Sequence, residues 1–194
     1  MRLNGLLRTS LLCVLCGETV LANGQRRTTK DGFKETPIIR ADLPNILVIG
    51  IEAHTTNAKE ATAEGVIPRQ WGRFFQEGIL EKIPNKMGSN IYAVYSDYAS
   101  DRNGEYSFMI GARVKDGTAP PHGMVAKRVP AGRYAVLTSE KGPLPKVVPG
   151  GWQKLWELED DGKIKRAYRM DFEIYDQRAQ DPQNAQVDIY VGLK

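Results

Sequence analysis

The chain is poor in the residues that carry most covalent and metal chemistry. Its 194 residues include two cysteines, Cys13 and Cys16, and two histidines, His54 and His122. Both cysteines fall within the first 22 residues; without that segment no disulfide, thiol nucleophile or cysteine metal site can form. Their C-x-x-C spacing also lacks the following helix in a βαβ context that a thioredoxin-type site needs. The histidines stand in polar or Pro/Gly-rich loops without ligand spacing and read as solvated, so neither a metal nor another cofactor is expected. No Gly-rich phosphate loop precedes a helix and no G-x-S-x-G elbow is present. Ser107 and Ser139 lack an evident base. No apolar run is long enough to span a bilayer. Charge of one sign is not concentrated anywhere: 27 basic and 23 acidic residues are scattered, for a formal charge of +4, which argues against a nucleic-acid groove or a polybasic membrane patch.

Residues 1–22 differ from the rest. Arg2 and Arg8 precede the apolar run Leu11-Leu12-Cys13-Val14-Leu15-Cys16, and Val20-Leu21-Ala22 supplies an A-x-A-like site. That order predicts a secretory signal peptide cleaved before Asn23, and hence an exported, periplasmic or secreted protein. Loss of Arg2, Arg8 and Glu18 leaves a nearly neutral, cysteine-free chain. Residues 23–40 are polar and basic and read as a flexible lead-in. The 41% apolar content suits one globular domain or two small halves packed together.

What the chain does have is the same pattern twice. Ile67-Pro68-Arg69-Gln70-Trp71-Gly72-Arg73-Phe74-Phe75 returns as Val148-Pro149-Gly150-Gly151-Trp152-Gln153-Lys154-Leu155-Trp156. Tyr92-Ala93-Val94-Tyr95 returns as Phe172-Glu173-Ile174-Tyr175, and Tyr106, Phe108, Ile110 and Gly111 as Val187, Ile189, Val191 and Gly192. The offset stays at 80 to 81 residues throughout. A constant offset predicts two copies of one supersecondary unit, with a pocket along the seam. The copies span about 44–115 and 124–194. Their sharpest difference is Ala93 against Glu173.

Each copy reads as βαββ. In the first, the β-branched run 46–51 forms a strand, Pro68 opens a helix with Trp71, Phe74 and Phe75 as its apolar stripe, and strands follow near 90–98 and 105–114. In the second, strand 132–139 precedes a helix from Pro149 bearing Trp152, Leu155 and Trp156, and strands near 166–176 and 186–193 close it. The expected fold is α+β, a tandem pseudo-twofold βαββ repeat with antiparallel sheet, two main helices and a central pocket. Alternation groups Met170, Phe172 and Ile174 with Val187, Ile189 and Val191 on a helix-covered face. It places Asp171, Glu173 and Tyr175 on the other, with Asp188 and Tyr190 beside them and Ala93, Tyr95 and Met109 on the matching part of the first copy.

Val129-Pro130-Ala131-Gly132-Arg133-Tyr134-Ala135-Val136-Leu137 and Asp171-Phe172-Glu173-Ile174-Tyr175-Asp176 resemble the "P-A-G-x-Y-A" and "F-E-x-Y" strands of the gyrase-inhibitor-like, AraC-type effector-binding domain family. Asp188-Ile189-Tyr190-Val191-Gly192-Leu193-Lys194 is similar to its closing strand. The resemblance covers residues 41–194. It implies an aromatic-lined small-molecule pocket between two halves, with one acidic residue, Glu173 here, pairing with cationic, lipophilic ligands. Many members are sensing halves of transcription regulators; the export signal departs from that setting, and a stand-alone binding protein is expected.

A lone carboxylate among aromatic rings is a rational trap for an organic cation, since the cation offsets the desolvated charge while stacking on the rings. The candidate ligand-binding residues are Glu173, Tyr175, Tyr95 and Tyr190 on the sheet, with Trp71 and Trp152 from the helices, which at this spacing also suit the core. An alternative is a small-molecule hydrolase in which Glu173 activates water. There Asp171, Glu173 and Asp188 would form a like-charge cluster, although Asp171 and Asp188 read more simply as solvated strand-end charges. A structural or protein-interaction module is a third reading. Ligand identity and oligomeric state are not encoded legibly.

Overall fold

The computed structural model describes residues 38–194. The expected signal peptide, both cysteines and most of the lead-in lie outside the described residues. Eight strands form a single sheet: β1 (Ile39–Leu43), β2 (Ile46–Thr56), β3 (Lys86–Ser96), β4 (Glu105–Val114), β5 (Val125–Val129), β6 (Gly132–Thr138), β7 (Arg166–Tyr175) and β8 (Asp188–Leu193). The helices are α1 (Asn57–Glu60), α2 (Ile67–Gln76), α3 (Ile79–Lys82) and α4 (Leu144–Asp160). All neighbouring strands are antiparallel, in the order β1-β6-β8-β7-β3-β4-β2-β5. Exchanging β1 with β5, β2 with β6, β3 with β7 and β4 with β8 reproduces that order read from the opposite edge. β1 and β5, which simple βαββ counting omits, each cross to the other half: β1 pairs with β6 and β5 with β2. Ile39 and Arg40, assigned to the lead-in from sequence, are already in β1 and face Val136 and Ala135.

The central pair, β3 with β7, sets Ala93 directly opposite Glu173. Outward from it, β2 and β4 cross closely at Gly50 and Gly111. A Cβ on either would lie 2.0 Å from a carbonyl oxygen of the opposite strand, so only glycine fits.

The sheet buries both faces. Ala93, Tyr95, Phe108, Ile110, Leu137, Ile189 and Val191 pack with Phe74, Trp152 and Leu155 of the helices. Val94, Met109, Tyr134 and Phe172 form a second core on the other side, joined by Tyr190 and Ile174. This corrects the faces assigned from sequence. Phe172 faces Tyr190 and Glu173 faces Ile189 across β7 and β8, a register one residue from the one assumed, which exchanges every side chain between faces. Tyr190 therefore leaves the glutamate face and stacks on Phe172, with centroids 4.6 Å apart and planes 5° apart. Met109 leaves it as well, because β4 pairs it with Val94. The helices cover the glutamate face, not the Phe172 face.

The helices follow local chemistry. Pro68 sits in the first turn of α2, and Glu60 caps that turn by accepting from the Val66 and Ile67 amides at 2.7 and 3.1 Å. α4 begins at Leu144, not at Pro149, which lies inside it. Pro143 is its N-cap and Pro145 occupies its first turn. The helix thus starts more than a turn earlier than its match to α2 suggests. Gly151 brings α4 against β8: a Cβ there would stand 2.6 Å from Ile189 Cδ1. That close approach lays Trp152 on the sheet.

Candidate ligand-binding site

Glu173 lies at the middle of the sheet and is 1% exposed. Ala93 across the strand pair leaves room for its carboxylate. Three side chains hold it. Tyr95 Oη and Trp152 Nε1 donate to Oε1 at 2.8 and 2.6 Å, and Tyr175 Oη donates to Oε2 at 2.7 Å. No lysine or arginine pairs with it among the described residues. Burial raises its pKa above the ordinary glutamate value, partly countered by the donors from Trp152, Tyr175 and Tyr95. Burial, and then the charge of Glu173, pushes the Tyr95 and Tyr175 hydroxyls well above the usual phenol range, so both remain donors.

Two aromatic pairs flank the carboxylate. The Trp152 and Tyr95 ring centroids are 4.9 Å apart at 67°, and those of Trp71 and Tyr175 are 4.9 Å apart at 65°. Of the six residues nominated from sequence, Glu173, Tyr95, Tyr175 and Trp152 are in hydrogen-bonded contact, Trp71 packs behind Tyr175, and Tyr190 is on the other side of the sheet.

A cavity of about 460 Å³ opens on the Trp152 side, between the start of α2, the middle of α4 and the β3–β4 end of the sheet. That volume suits a drug-sized molecule, for which pockets run roughly 300–1,000 Å³. Pro68, Pro149, Trp152 and Trp156 wall it, with Tyr95, Tyr98 and Tyr106. Glu173 itself is not on the wall. It stands behind Tyr95 and Trp152, which are, and which both donate to it.

The wall also carries Arg166, whose side chain is 2% exposed. Its guanidinium bonds Asp171 at 2.5 Å and lies 4.3 Å from the Tyr168 ring centroid. Asp171 is fully buried and accepts as well from Tyr98 Oη and the Gly192 amide, both at 2.8 Å. The reading of Asp171 as a solvated strand-end charge is thus overturned. Asp188 points to the other face, opposite Ile174, and pairs with Arg178 at 2.6 Å, so the three carboxylates do not cluster. Burial alone would lower the Arg166 pKa, but the Asp171 charge and its hydrogen bond raise it overall.

Tyr98, Trp156, Tyr106 and Arg166 were not nominated as site residues. Trp156 was legible as part of the helix stripe. Arg166 was not, because it stands five residues before Asp171, a spacing that puts two side chains on opposite faces of a regular strand. The ladder shifts between them, and Tyr168 adopts φ +52, which brings both to one side.

Comparison with known proteins agrees with this architecture. A family model described as integron-associated effector binding protein, Cass2, matches residues 41–193. YobU of Bacillus subtilis, a candidate transcriptional regulator, is 35% identical over 146 residues, covering 75% of this chain and 90% of YobU. The transcriptional regulator BrlR of Pseudomonas aeruginosa is 36% identical over 101 residues, which is 51% of this chain and 37% of BrlR. An integron cassette protein of Vibrio cholerae shares the fold at TM-score 0.65 and 24% identity, covering 81% of this chain and 95% of that one. SAV2435, solved with tetraphenylphosphonium bound, shares it at TM-score 0.66 and 20% identity, covering 81% and 94%. The effector-binding resemblance carried by the strands at 129–137 and 171–176 is borne out, and the chain belongs to the integron-associated effector binding protein family, Cass2.

Proposed function

We propose that this chain is a binding protein for lipophilic organic cations, with Glu173 as the countercharge. The observation that carries the reading is a fully buried carboxylate without a cationic partner among the described residues, set behind the aromatic wall of an apolar cavity. Such an anion is costly unless a charge arrives to offset it. Tyr95 and Trp152 hold the carboxylate by their polar atoms and turn ring surface toward the cavity. A cation on those rings gains about 0.5–2 kcal/mol per contact. At roughly 6–7 Å from the carboxylate and an effective dielectric of about 20, it gains a further ~2–3 kcal/mol. Together with apolar burial this supports micromolar binding after association costs. A general-base role would need water in contact with a carboxylate that three donors already occupy, so the geometry favours binding over hydrolysis.

The test is quenching of tryptophan fluorescence by tetraphenylphosphonium and by neutral triphenylphosphine oxide, in wild type and Glu173→Gln. The substitution keeps shape and removes charge. Cation affinity should fall by about 1.5–3 kcal/mol, ten- to over a hundredfold, while the neutral probe barely changes. Equal cation affinity in both proteins overturns the assignment, and consumption of an electrophilic substrate that Glu173→Gln abolishes replaces it with the hydrolase.

The order of charge, apolar run and small residues in 1–22 further supports export. N-terminal sequencing of protein from its native host should begin near Asn23; an intact Met1 on soluble cytoplasmic protein refutes export.

A further inference from the structure

Three charged side chains line the cavity: Glu60, Arg102 and Arg166. Arg166 is paired with Asp171 and Glu159, at 2.5 and 3.7 Å, so that group adds no net positive charge. Glu60 accepts from the Thr55 hydroxyl and from the Val66 and Ile67 amides, where the positive end of α2 offsets its charge. Arg102 is placed differently. It stands in the turn between β3 and β4, and its guanidinium lies 5.9 Å from the centroid of the Trp156 ring, within cation–π reach. Its Nη1 donates to the Trp156 carbonyl at 3.4 Å, and its Nη2 to the two carboxylate oxygens of Asp160 at 2.9 and 3.0 Å. Asn57 Nδ2 holds the turn by donating to the Arg102 carbonyl at 2.7 Å. Arg102 and Trp156 are both on the wall, whereas Asp160 is exposed and is not. At this end of the cavity an aromatic ring already has a cation on it.

We propose that Arg102 restricts this cavity to lipophilic cations with a single charged centre. The inference rests on the cation-binding reading above and adds the number of charges to it. Trp152 and Trp156 are one turn apart on α4, about 6 Å along its axis. A cation seated against Trp152 and Tyr95, near Glu173, leaves the Trp156 end to an apolar part of the ligand. A second positive centre at that end would meet the Arg102 guanidinium on the ring. Two like charges about 7 Å apart, at an effective dielectric of about 20, repel by more than a tenfold loss of affinity. Asp160 is exposed, so solvent and salt screen it and it offsets only part of that repulsion. Glu60 is no alternative seat for the second charge, since its carboxylate already has three donors.

Two matched probes test this on the full chain. One is tetraphenylphosphonium with a para-tert-butyl group on one ring, a monocation. The other carries para-trimethylammonium instead, a dication of nearly the same shape. In calorimetric titration of the wild type the monocation should bind about tenfold or more tighter. Part of that gap is the polarity of the ammonium group, and two variants separate it from the charge of Arg102. Arg102→Gln removes the guanidinium and leaves the Asp160 carboxylate, so the gap should narrow by about fivefold or more, mainly through tighter binding of the dication. Asp160→Asn leaves the guanidinium without its partner, so the gap should widen. A merely structural role for the ion pair would move both variants in the same direction. Asp160 is exposed, and its variant carries the test if Arg102→Gln does not fold. Equal binding of the two probes in wild type, a gap unchanged in Arg102→Gln, or no widening in Asp160→Asn overturns this inference and leaves cation binding intact. Binding of neither probe overturns both.

Discussion

The two tryptophan–tyrosine pairs beside Glu173 have nearly the same geometry and different surroundings. Trp152 on Tyr95 and Trp71 on Tyr175 share a 4.9 Å separation and differ by 2° in tilt. Both tyrosines donate to the one carboxylate, each to a different oxygen. Beyond that the sides diverge. Trp152 adds its own N–H to Glu173 and lines the cavity. Trp71 makes no such bond; it stacks on Phe75, 5.7 Å away, which is 63% exposed. A nearly symmetric scaffold therefore carries one charge and one open side. The symmetric part builds the cradle, and the departures from symmetry, Glu173 for Ala93 and the Trp152 side for the Trp71 side, are what the proposed cation site would use to orient a bound molecule.

The largest effect should come from restoring symmetry in charge. Ala93 is fully buried directly opposite Glu173, so Ala93→Glu sets two carboxylates side by side. Ala93→Gln is the control that adds bulk without charge, since overpacking alone is destabilising. At neutral pH the Glu variant should be about 3–5 kcal/mol less stable than the Gln variant in denaturant unfolding. The pH dependence has a definite sign. Burial already raises the Glu173 pKa, and a second carboxylate raises it further. An acid whose folded pKa is raised contributes stability that is present below its unfolded value, about 4.3, and lost as pH rises through the folded value. The deficit should shrink on acidification. Equal stability of the two variants at neutral pH would mean that the site tolerates a second charge and that Ala93 is not what makes room for one.

The extent to which this was legible follows from which signals are local. The duplicated blocks around Trp71 and Trp152 identify two helices and the strands after them, because period and spacing survive in the chain itself. Tyr95, Tyr175 and Trp152 were nominated from strand alternation and helix spacing, and Glu173 from its contrast with Ala93 and the resemblance of its strand to the family's F-E-x-Y. Tyr190 and Met109 were misplaced because a face depends on register between strands, and a shift of one residue is invisible in either strand alone. α4 was begun too late because Pro149 matches Pro68, although proline is tolerated inside a helix whose packing outweighs the lost hydrogen bond. β1 was missed because its partner, β6, belongs to the other half. Arg166 could not be read as a wall residue, since only the ladder shift beside Tyr168 brings it to the side of Asp171.

The smallest effect sharpens the comparison most, because it asks for a difference between twins. Trp152→Phe removes one donor from Glu173 and one indole face from the cavity, leaving Tyr95 and Tyr175 on the carboxylate. Tetraphenylphosphonium should then bind more weakly by the worth of one cation–π contact, about 0.5–2 kcal/mol, or roughly two- to thirtyfold. Trp71→Phe makes the matching change on the closed side, where the indole touches Tyr175 and Phe75 and no wall of the cavity. It should alter affinity by less than about twofold, since nothing it removes faces a ligand. Calorimetric titration reads both without depending on the tryptophans themselves. Equal losses in the two variants would show that a ligand spans both aromatic pairs, and the open side would no longer explain its direction.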